Sequence, residues 1–196
     1  MNRSQSSTRF AVGIYLTLAL SLTAFAAPVP AEEAAELPLR FRISAMSTGS
    51  RSGTARLDLS ITRWSTEAER TELLEALAEG QSRSLPDGLN SQERVGEVRE
   101  VGSLGEVLRY SRRIPTENGE QIILATDRPI AFVESWNRSR TRDYNVTVIH
   151  LTLDDEGNGE GTLMLGAELS LDAETGQLTV EHMSNQPVRL TNVRLR

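Results

Sequence analysis

The sequence predicts a mainly β, α+β fold: an antiparallel meander forming a strongly curved sheet or open barrel, with one packed helix. Three observations predict it. Apolar and polar residues alternate over several short runs separated by Gly-, Asn- and Asp-rich turns, the pattern of half-buried strands. One run alone changes to the helical period. The longest apolar run beyond the N-terminus, Glu120 to Trp136, contains Ile122, Ile123, Leu124 and Ala125 in succession, so one strand should be covered on both faces.

Residues 1–26 have the layout of a secretory signal: Arg3 and Arg9 in a polar start, an apolar run from Phe10 to Phe25, and Ala24-Phe25-Ala26 as a cleavage site. A transmembrane anchor fits less well, because Thr17, Ser21 and Thr23 interrupt the run and no basic flank follows it. Export, periplasmic or extracellular, is therefore expected, with no stable membrane span after cleavage. Residues 27–38 are rich in Pro, Ala and Glu without apolar periodicity and read as a flexible arm. Residues 39–196 contain no linker and no repeat, and read as a single β-rich domain.

Within that domain, Leu39, Phe41, Ile43 and Ala45 alternate with polar residues, as do Ala55, Leu57, Leu59 and Ile61, which gives a first hairpin through Thr48 to Gly53. The helix follows over residues 66–79. Thr66 with Glu69 three positions on forms a capping signature, Leu73 and Leu77 are one turn apart, and Gly80 offers a stop. Residues 80–96 carry turn residues and one short helical stretch near Leu89 to Val95. Strands are expected over 107–113 and 120–126, joined at Asn118-Gly119, then a break at Asp127-Arg128-Pro129 and another strand to Trp136. Runs at 144–153, 162–171, 177–183 and 188–195 complete the meander.

Composition limits the function classes. All 21 cationic residues are Arg; two lie in the leader, leaving 19 against 27 acids, a formal balance of −8. An acidic exterior excludes nucleic acid and anionic membrane as the expected partner. With no Cys, the exported chain has neither disulfides nor a thiol nucleophile, and its stability must come from core burial.

The candidate site is the row Arg138, Arg140, Arg142, close to Arg128 and bracketed by Trp136 and Tyr144. In an extended segment the three Arg share a face and could grip a small acidic ligand, with Trp136 as a stacking plane; the plainer reading is a solvated loop. Asp154, Glu156, Asn158 and Gly159 match the start of a calcium loop, but the twelfth place is Leu165, so a polar hairpin turn suffices. His150 and His182 sit in strands that could be neighbours, yet two histidines make no zinc site. Gly49-Ser-Arg-Ser-Gly53 has Arg51 where a nucleophile elbow needs Ser. No metal and no cofactor is expected, and the 27 acids offer no distinguishable catalytic pair.

Ile61-Thr-Arg-Trp-Ser-Thr66, Gly102-Ser-Leu-Gly105, Ala125-Thr-Asp-Arg-Pro-Ile130 and Pro187-Val-Arg-Leu190 together resemble a family of uncharacterised exported bacterial proteins over most of the mature chain. The resemblance implies a single exported domain and brings no activity or site residue with it. The expected function is non-enzymatic binding of a small or extended ligand in the concavity of the sheet. The alternatives are a hydrolase or isomerase using unrecognised carboxylates, and an envelope interaction module.

Overall fold

The computed structural model describes residues 37–47, 52–80, 85–128, 130, 146–165, 167–171, 178–182 and 188–196, with the backbone alone for 79, 80, 165, 167–171 and 178–182. All of its elements belong to one compact unit, Ala35–Arg196. Residues 1–36, where a leader and most of an arm are expected, and the stretch from Ala131 through the Arg row lie outside the described residues.

The alternating runs form strands β1 (Leu39–Ser47) and β2 (Gly53–Ile61), paired antiparallel from Leu39↔Ile61 to Ser47↔Gly53. After helices α1 (Glu67–Gly80) and α2 (Leu85–Ser91), strand β3 (Gly96–Glu100) pairs with β2, and β4 (Glu106–Leu108) pairs with β3. Strands β5 (Tyr110–Thr116), β6 (Gly119–Thr126), β7 (Thr147–Leu153) and β8 (Asn158–Leu165) form an antiparallel meander. The chain then leaves for a separate two-stranded sheet, β9 (Ala167–Leu171) with β10 (Leu178–His182). It returns as β11 (Val188–Leu195) between β8 and β1.

The resulting nine-stranded order is β4-β3-β2-β1-β11-β8-β7-β6-β5. Its two end strands are successive in the chain, separated by Arg109 alone. On one side the Val95 N–H donates to Leu108 O (2.9 Å), and on the other the Arg109 N–H donates to Ala125 O (2.9 Å). The stretch from Glu106 to Thr116 thus passes its hydrogen bonding from β3 to β6, and the sheet curls into a nearly closed barrel, which leaves few unpaired edge groups.

Closure decides where the core lies. The inward apolar positions of every barrel strand except β5, whose buried residue is Ser111, form one cluster, with Phe41, Leu57, Leu59, Leu124, Ile149 and Leu190 all at 2% exposure or less. Their outward neighbours Arg40, Arg42 and Arg56 are exposed. The concave face of the sheet is therefore filled with side chains. A second, smaller cluster lies outside the barrel wall, where Leu73 and Leu77 of α1 and Leu85 and Leu89 of α2 join Ala125 and Val148. The consecutive run of β6 divides between the two: Ile122 and Leu124 point inward, while Ile123 and Ala125 face outward toward the helices. Each inward Ile or Leu removed from water stabilises the fold by about 1.5–3 kcal/mol.

The mainly antiparallel, barrel-like sheet with a packed helix is as expected, and the short second helix is present with other bounds. The second spans Leu85–Ser91 and not Leu89 to Val95, because Leu85 and Leu89 are one turn apart on the outer cluster while Val95 belongs to the barrel core. The strand expected over 107–113 is divided at Arg109, and the one over 162–171 is divided after Leu165, where the chain exchanges the barrel for the β9–β10 pair. Strand β3 has no counterpart among the expected strands, since GEVRE offers Val98 as its single large apolar residue. The bend at Asp127 and Arg128 is present, but of the strand expected after it only the buried Ile130 is described.

Candidate functional site: an apolar cleft between α1, α2 and the outer barrel wall

The cleft depends on how α1 is fixed. Thr66 caps the helix: its hydroxyl accepts from the Glu69 N–H (3.2 Å), and Glu69 Oε2 accepts from the Thr66 N–H (2.7 Å), a reciprocal capping box. Glu69 also receives both guanidinium arms of Arg63, at 2.9 and 2.7 Å. The Arg63 guanidinium, opposed by burial and helped by Thr66, holds the Glu69 carboxyl down at about 2, and the same hydrogen bond raises Arg63 above its ordinary value. Arg63 stands in the segment leaving β2, where Trp64 packs on the barrel core. Ser65 and the fully buried Ser111 of β5 bond reciprocally, N–H to carbonyl and N–H to hydroxyl, each at 3.0 Å. The helix start is thus tied to both β2 and β5.

So held, α1 and α2 stand off the outer face of β5–β8 and leave a cleft of about 580 Å³. One wall is Leu73, Leu74 and Leu77 of α1 with Leu85 and Leu89 of α2. The floor is made by outward residues of four strands, whose register sets two rows. Tyr110, Ala125, Val148 and Met164 lie side by side in the first, and Arg112, Ile123 and His150 in the second. Ile114 of β5 and Arg70 of α1 complete the lining.

Polar groups are few. Arg70 Nη1 is 3.5 Å from Glu67 Oε2 one turn back on the helix. His150 Nε2 is 3.4 Å from Gln121 Oε1. Half-buried Arg112 is paired with no carboxylate among the described residues. Among the described residues no Asp or Glu lines the cleft. The cleft therefore offers extended apolar contact with guanidinium and imidazole donors on its floor.

No family model, curated protein or solved structure matches this chain.

Of the residues singled out by sequence, Arg128 is described and exposed, with its Nε 3.5 Å from Asp127 Oδ2 and its carbonyl accepting from the Thr147 hydroxyl (2.9 Å). Trp136, Arg138, Arg140 and Arg142 lie outside the described residues. Asp154 behaves as a turn residue: its Oδ1 accepts from the N–H groups of Glu156 (3.1 Å) and Asn158 (2.8 Å) at the β7–β8 turn. His150 and His182 are on strands of different sheets, β7 in the barrel and β10 in the pair with β9. Among the described residues no group of three or more His, Asp or Glu could hold a metal ion, and no helix is long and apolar enough to cross a membrane.

Sequence reasoning missed Arg112 and the cleft itself. One signal was present: Ile123 and Ala125, successive outward positions of β6, are apolar where a solvated strand would be polar, so something had to cover them. It did not reveal that the cover stands partly away from the wall.

Proposed function

We propose that this protein is an exported, non-enzymatic binding protein that takes an apolar small molecule in the cleft between α1, α2 and the outer wall of β5–β8. One observation carries this reading: an open volume of about 580 Å³, within the range of small-molecule sites, bounded by Leu, Ile, Val, Met and Tyr side chains from both helices and four strands. The apolar surface there is built from helices and strands and not from loops, so less ordering opposes binding. The barrel interior, filled by its own core, offers no comparable space among the described residues.

The test is titration of an environment-sensitive apolar fluorophore into the mature protein and into Leu74→Trp. Leu74 is a half-buried lining residue on α1, so the indole narrows the cleft without touching the barrel core. Saturable binding by the parent and at least severalfold weaker binding by the variant, at unchanged melting temperature, supports the reading. Equal binding by both places the ligand elsewhere.

A further inference from the structure

We infer that the ligand of this cleft is a single-chain amphiphile with a carboxylate head, and that Arg112 is the residue that selects it. The inference rests on the cleft being the binding site and adds what the ligand must carry. Arg112 projects from β5 onto the cleft floor, level with Ile123 and His150, while the neighbouring row of Tyr110, Ala125, Val148 and Met164 is apolar apart from one hydroxyl. A guanidinium has five donors and cannot give up its charge. With no carboxylate partner among the described residues, Arg112 has donors that water can reach in the open cleft.

A neutral apolar ligand would strip that water and put nothing in its place, which costs free energy. A carboxylate replaces the water with two parallel N–H···O bonds, the geometry a guanidinium fork fits best. The rest of the lining sets the size of the charge. Arg70 lies 3.5 Å from Glu67 and His150 faces Gln121, so among the described lining residues Arg112 is the one guanidinium without a carboxylate beside it, which suits a single negative charge. A dianionic head would lack a second partner. The tail then lies along the first row, against Leu73 and Leu77 of α1.

Dodecanoate and dodecanol share a tail and differ in the head, so calorimetric titration of both, below their micellar concentrations, isolates the contribution of Arg112. The parent should bind dodecanoate about tenfold or more tightly than dodecanol, the ratio expected of one charge-assisted pair. Arg112→Gln should remove that preference with little change for dodecanol, and its melting temperature should match the parent's. Equal affinity of the parent for acid and alcohol, with both lost in Leu74→Trp, overturns the inference and leaves the cleft as a site for neutral ligands. Binding of neither ligand by the parent overturns the cleft reading itself. Should Arg112→Gln fail to fold, the parent's own acid-to-alcohol ratio still decides.

Discussion

Glu69 carries three structural duties through one carboxylate: it closes the capping box, anchors Arg63, and through Arg63 binds the helix start to the exit of β2. Its acidity makes the arrangement pH-dependent. The folded group titrates at about 2 and the unfolded one near 4.5, so as pH falls below 4.5 the unfolded chain takes up a proton first. The contribution is complete above 4.5 and is lost progressively toward 2, at most about 3 kcal/mol for a group this well paired. Glu69→Gln keeps an oxygen for the Thr66 N–H but loses the charge, so it should lower stability near neutrality and flatten the part of the stability–pH curve between 4.5 and 2. Urea melts at several pH values measure this, and an unchanged acid limb assigns the limb to other groups. A second residue-scale contrast separates two costs of replacing glycine. Gly119 has φ 125° and a Cβ there would lie 2.1 Å from Leu153 O, whereas Gly102 at φ 93° has open space around it. Gly102→Ala should therefore cost about 1 kcal/mol of backbone strain, and Gly119→Ala at least about twice that because strain and clash combine.

At the scale of elements, α1 is an attachment to a barrel that already has its own core, since Leu73 and Leu77 belong to the outer cluster and Phe41, Leu57 and Leu124 to the inner one. Leu77→Ala should cost about 2–4 kcal/mol and should raise hydrogen exchange in α1 far more than in β1, β2 and β11. Uniform acceleration throughout would make helix and barrel one cooperative unit. The helix was legible in the sequence because its signals are local: a cap at Thr66, a partner at Glu69, and Leu73 and Leu77 one turn apart. Strands β1 and β2 were legible for the same reason, their period being complete within nine residues each. The second helix was misplaced because Leu85 and Leu89 are two apolar residues in a segment of Pro, Asp, Gly and Asn, and the apolar Val95 beyond them belongs to the barrel. Strand β3 has too few apolar residues to show a period at all, and is defined by its pairing with β2 and β4. The cleft was illegible for a deeper reason, since Arg112, Ile123 and His150 are brought level only by the register of three strands.

For the whole molecule, what matters is that the barrel has an inside and an outer wall that is itself partly covered, and a single strand can test both. Closure places Leu124 inside, fully buried and paired in register with Ser111 and Ile149, with no cation among its paired neighbours. A carboxylate there would be stripped of water without compensation. Leu124→Asp should therefore cost several kcal/mol, a large share of the roughly 5–15 kcal/mol that holds a domain folded. Ile123, one residue away, faces the cleft, is half-buried, and is paired in register with Arg112 and His150. An aspartate at that position keeps access to water and gains a guanidinium neighbour, so Ile123→Asp should cost about 1–2 kcal/mol, a drop of only a few degrees in a domain of this size. The same carboxylate would occupy Arg112 and weaken dodecanoate binding, coupling a stability measurement to a functional one. Thermal melts and soluble yields of the two variants, side by side, check the contrast. Comparable losses would show that the outer wall is packed as tightly as the core and that the cleft is not open; a Leu124→Asp protein melting within a few degrees of the parent would show that the inward face of β6 is not enclosed.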